Sequence, residues 1–113
     1  MAEQALHADL AAGRWHTLTL SEQLGNVGSD VGRGIRAKAR HDDVRLQGAL
    51  ERALELLDLT LTDDRWQGPR RQEIARAREV VCDFLVGDND YASTAESLDT
   101  YFLAFALAAR RDR

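Results

Sequence analysis

A chain of 113 residues has the length of one domain and room for a real core without covalent staples. Hydrophobic residues make up 44% and charged residues 30%. The lone cysteine excludes an internal disulfide framework, and a net charge of −4 gives no general pull toward nucleic acid. No apolar run is long enough to span a bilayer, so the sequence reads as a cytoplasmic protein with no membrane association.

The first residues, Met1 to Ala12, carry Glu3 and Asp9 and no basic stretch, so they do not read as a signal peptide. Residues 1–14 are read as an N-terminal extension, in which 3–12 have the length of a short extra helix. Residues 15–113 are read as the domain.

The run Thr19-Leu20-Ser21-Glu22 is a capping box, with a hydroxyl at the N-cap and a Glu three residues on. An apolar stripe follows at Leu20, Leu24, Val27, Val31 and Ile35, the spacing of one helical face, which predicts a helix over 20–40. Gly25, Gly28, Gly32 and Gly34 all lie inside it, each costing about 1 kcal/mol against Ala. Tertiary packing must therefore offset them.

Asp42 or Asp43 caps the next helix, over 43–62, with a stripe at Leu46, Leu50, Ala53, Leu54, Leu57 and Leu61. Pro69, the one proline, suits the first position of a third helix over 69–86, with Ile74, Ala77, Val81, Phe84 and Leu85 inward and Gly87 at its end. Ser93-Thr94-Ala95-Glu96 reads as a second capping box. It opens a helix over 94–110 that buries Leu98, Phe102, Phe105 and Ala109 beside Tyr101. Four amphipathic helices on short loops predict an all-α, antiparallel up-down-up-down four-helix bundle.

Three stretches, Trp15 to Val31, Glu51 to Thr60 and Gly87 to Tyr91, together resemble a family of small, uncharacterised bacterial helical proteins. The likeness spans about residues 15–110. It implies a standalone helical domain and carries no activity.

Few residues offer chemistry. Arg36 and His41 are spaced as in the short motif of HEPN-type ribonucleases, where the cation steadies a phosphate and the imidazole moves a proton. The plainer reading is a solvated helix end whose dipole favours cations. Asn26, Ser29, Asp30 and Arg33 form a polar stripe at i, i+3, i+4 and i+7. Glu51, Arg52, Glu55 and Asp58 do so on the second helix, and Arg76, Glu79 and Asp83 on the third. These stripes predict an interhelical ion-pair network, or a ligand pocket drawing on Asn26, Asp30, Arg33, Glu55 and Arg76.

No Glu-x-x-His pair serves a bundle metal site, and Asp88-Asn89-Asp90 lacks the calcium-loop pattern, so no metal and no cofactor is expected. Cys82, beside Asp83, reads as a packed thiol with a raised pKa. Trp15 and Trp66 fall outside the core stripes and read as loop staples or anchors for a partner.

The leading expectation is a non-enzymatic interaction module that self-associates or binds an unidentified protein. The alternatives are a HEPN-like ribonuclease or toxin–antitoxin component, and a small-ligand-binding bundle. Gly25, Gly28 and Gly32 line one strip of the first helix, about 100° round from the leucine–valine stripe. Either a second copy packs there, as in a two-fold dimer, or a wide inner face sets the glycines opposite Phe102 or Phe105.

Overall fold

The computed structural model describes residues 13–112, so the expected helix over 3–12 lies outside the described residues. A short 3-10 turn, Arg14–Thr17, leads into four α-helices: α1 (Leu20–Ala39), α2 (Asp43–Leu61), α3 (Pro69–Leu85) and α4 (Ala95–Arg111). There is no strand among the described residues. The protein is an all-α four-helix bundle.

Local chemistry sets the helix ends. Thr19 Oγ1 accepts from the Glu22 N–H while Glu22 accepts from the Thr19 N–H, so two otherwise orphaned donors are satisfied. Asp42, not Asp43, caps α2 by accepting from the Arg45 N–H. The box that opens α4 is displaced by one residue from its expected place. Thr94 is the N-cap and Ser97 its reciprocal partner. Ser93 is already engaged, its N–H donating to Asn89 Oδ1 at 2.8 Å.

α1 ends on a left-handed residue that is not glycine. His41 has φ 57°, its N–H donates to the Lys38 carbonyl, and the Asp42 N–H reaches back to Ala37. That pair of bonds is the Schellman closure. At the end of α3, Gly87 does a different job from the one its residue type suggests. Its φ is not positive, and a Cβ would stand 3.0 Å from the Asp83 backbone. Close approach, rather than handedness, requires glycine there.

α1 is the central helix, packing most intimately on α2 and α4, while α3 packs on α2. Leu24, Val27, Val31 and Ile35 of α1 meet Leu50, Ala53, Leu56 and Leu57 of α2, Ile74, Val81 and Leu85 of α3, and Leu98 and Phe102 of α4. The chain runs up, down, up and down. Gly34 faces Ala49 and Gln23 reaches Asp63 across α1 and α2; Gly28 faces Phe102 and Gly25 faces Ala106 across α1 and α4.

The glycine line therefore has its neighbour inside the chain. At Gly28 a Cβ would lie 2.6 Å from the Phe102 Cβ, and at Gly25 it would lie 3.1 Å from the Ala106 Cα. Of the two accounts of that line, the wide inner face with a glycine against Phe102 is the one the structure shows. No helix among the described residues is long and apolar enough to cross a membrane.

Candidate functional site

The polar stripes split between different helix pairs. Asp30 is buried at 4% exposure, and its Oδ1 accepts from Arg33 Nη1 at 2.8 Å and from Arg52 Nε at 3.3 Å. A carboxylate so placed needs these donors to offset its desolvation, and Arg52 ties α2 to α1 in register. Asn26 instead turns onto its own helix, donating to the Glu22 carbonyl at 2.8 Å. Glu55 is half-buried in a groove of about 510 Å³ between α2 and α3, with Glu51, Asp58 and Arg78. Arg76 is exposed and stacks 5.5 Å over the Tyr91 ring. Of the five residues expected to share a pocket, Asp30 and Arg33 are joined by an ion pair, while Asn26 and Arg76 have the other partners described above.

The remaining candidates stand apart from one another in role. Arg36 is exposed in the last turn of α1, and His41 is exposed in the turn that closes it. The Asp88–Asp90 connector is a capped turn, in which the Asp83 carboxylate accepts from the N–H groups of Asp90 and Tyr91 at 2.8 and 3.0 Å. Cys82 is half-buried. Burial is the main cause raising its pKa, Arg78 works against it, and Asp58 rather than the adjacent Asp83 is the acid that adds to it. Among the described residues no three His, Cys, Asp or Glu side chains cluster closely enough to hold a metal ion.

Trp15 and Trp66, expected off the core, are 1% and 7% exposed and belong to it. Both are pinned through Gln23, a buried amide on α1. Trp66 Nε1–H donates to Gln23 Oε1 at 2.8 Å, while the Gln23 amide donates to the Trp15 carbonyl at 2.9 Å and to Asp63 Oδ2 at 3.1 Å. Trp15 Nε1–H donates to Thr60 Oγ1 at 2.9 Å, which itself donates to the Leu56 carbonyl. Asp63 also pairs with Arg65 at 2.7 Å, and the Arg65 guanidinium reaches on to the Leu18 carbonyl.

The Arg65 side-chain bond holds the Asp63 carboxyl well below the usual carboxylate range. Burial opposes it, and the Arg65 N–H and Gln23 add to it. Every polar atom of the Gln23 amide thus has a protein partner, as a buried amide requires. This end of the bundle is a lock; as anchors for a partner, both tryptophans are already spent inside it.

What faces outward is the seam between α1 and α4. A groove of about 530 Å³ runs along it, floored by Gly25, Gly28 and Gly32 and walled by Leu103 and Ala106, with Arg33, Arg36 and Asp99 along it. Leu103 is 55% exposed and Leu107, one turn on, 44%. Phe102 points inward at Gly28, and at about 100° per residue Leu103 and Leu107 lie about 100° and 140° round the helix from it. No other element covers them among the described residues, because α3 packs on α2 and meets α4 through side chains such as Tyr101, whose hydroxyl donates to Glu73 at 2.9 Å. The sequence does show this pair: two leucines at i and i+4, off the inward stripe of Leu98, Phe102 and Phe105.

No protein-family profile, no curated protein and no solved structure matches this chain at a significant level.

Proposed function

We propose that this protein is a non-enzymatic helical interaction module that associates with a second copy of itself through the outer face of α4. The carrying observation is the leucine pair Leu103 and Leu107, exposed beside a glycine-floored groove while the rest of the large apolar side chains of α4 are drawn inward. The same surface holds both a knob and a hollow. A patch with both parts is self-complementary, which a two-fold interface requires.

The separate placement of Asp30, paired with Arg33 and Arg52, and of Arg76, stacked on Tyr91, supports this reading over a small-ligand bundle. Sedimentation across micromolar concentrations tests the proposal. The expected result is a reversible dimer that Leu103→Glu converts to a monomer with an unchanged circular dichroism spectrum. A strict monomer at all concentrations would overturn it.

A further inference from the structure

The charges on α4 are divided along its length. Asp99 stands near the start of the helix and Arg110 in its last turn, and the leucine pair lies between them. Steps of 4, 4 and 3 from Asp99 through Leu103 and Leu107 to Arg110 hold all four within an arc of about 80°. They form one face. Neither Asp99 nor Arg110 has an ion-pair partner among the described residues.

We infer that α4 pairs with α4 of the second copy in antiparallel orientation, about a two-fold axis between Leu103 and Leu107, with Asp99 of each copy beside Arg110 of the other. This rests on the self-association proposed above and assigns its geometry. A perpendicular two-fold through that point reverses the helix, so Leu103 meets the partner's Leu107 and the acidic end meets the basic end. Each dimer then contains the Asp99–Arg110 pair twice. A parallel pairing would set Asp99 against its own copy and Arg110 against its own copy, and like charges in contact oppose association. Antiparallel helix dipoles act in the same direction as the side chains. Arg33 and Arg36 lie along the groove that Asp99 also lines, so Asp99 enters the interface from a locally cationic rim.

The test is a charge reversal read by sedimentation, with circular dichroism confirming that each variant is folded. Asp99→Arg alone sets Arg against Arg twice per dimer, and Arg110→Asp alone sets Asp against Asp twice. Each single variant is expected to weaken self-association by about tenfold or more. An equimolar mixture of the two single variants restores opposite charges at both contacts, and a heterodimer of wild-type strength is expected. The double variant, Asp99→Arg with Arg110→Asp, is expected to dimerise again by itself.

Because the mixture contains the same folded chains that fail separately, its recovery cannot come from a change in folding or from the nearby Arg33 and Arg36. A wild-type dimer indifferent to both single reversals would overturn the antiparallel geometry and leave self-association standing. A mixture no stronger than its components would overturn it likewise. A wild-type chain that remains monomeric would remove both.

Discussion

Trp15 and Leu103 are both large apolar side chains at the margin of a small bundle, yet Trp15 is 1% exposed and Leu103 55%. The difference lies in what surrounds them. Trp15 belongs to a segment outside every α-helix, and it is fixed by Thr60, Gln23 and, through Gln23, Asp63 and Trp66. Leu103 belongs to a regular helix whose inward face is already satisfied by Gly28 against Phe102. An irregular segment is held only when its polar atoms find partners, so its burial brings a hydrogen-bond network with it. A helix satisfies its own backbone and leaves its outer side chains free for another chain. The end with the more complex polar chemistry is thus the structural one, and the plainer surface is the candidate for function.

The largest expected effect tests the first half of that contrast. Trp15→Ala removes a buried indole and leaves Thr60 short of a donor, and a loss of about 3–5 kcal/mol in denaturant unfolding is expected. Gln23→Leu keeps much of the volume but strands the Trp66 N–H and one bond to Asp63, so a loss of about 1–3 kcal/mol is expected. If Gln23→Leu proved neutral, the amide would be filler and the lock would be hydrophobic alone. Gly28→Ala tests the inner face of α4. A methyl there meets Phe102 Cβ at 2.6 Å, a contact that only a shift of the helix relieves, and a loss of about 1–3 kcal/mol is expected although Ala is the better helix former.

The helices themselves were legible because caps and stripes are local. Expected bounds of 20–40, 43–62, 69–86 and 94–110 agree with those observed to within one residue, and the one displaced cap arose because Ser93 was taken by Asn89, four residues away. The tryptophans were not legible from stripes, since stripes describe helices and neither residue is in an α-helix. One signal was present: Gln23 lies four positions before Val27, about 40° round the helix from it at the edge of the buried stripe, and a buried amide there demands partners. The direction of the glycine line depended on where α4 lands after a connection through two other helices, which no local spacing encodes. The polar stripes are local spacings on single helices. That Asp30 takes Arg52 across α1 and α2, while Arg76 and Glu79 meet Tyr91 in the connector after α3, follows only from the packing.

A pH titration sharpens the same comparison with a smaller effect. Arg65 above all holds the folded-state pKa of Asp63 below its ordinary value of about 3.9. A group depressed on folding contributes stability that is complete above the unfolded pKa and fades as the pH falls through it toward the folded value. Wild-type stability should therefore fall between about pH 4 and the acid limit of the measurement by more than that of Asp63→Asn, which has no proton to take up there. Parallel curves for the two proteins would mean that the Arg65 pair contributes nothing on folding. A variant on the outer face of α4 keeps Asp63 and Arg65 and should follow the wild-type curve.

The smallest expected effect on the fold is the most informative about function. Leu103→Ala removes apolar atoms that are more than half in water, so the stability of the monomeric chain should change by no more than about 0.5 kcal/mol. Alanine also keeps the helix propensity of the site. Against that small change, dimer strength measured on the same samples should drop, because in the proposed pairing Leu103 becomes buried only when the second copy arrives. The pairing of an unmoved folding curve with a weakened association separates a surface kept for a partner from a leucine that merely happens to be outside. If both quantities stay fixed, Leu103 is an ordinary exposed leucine, of the kind every small protein carries. If both fall together, the side chain supports α4 against α1, and the interface must be sought elsewhere on the molecule.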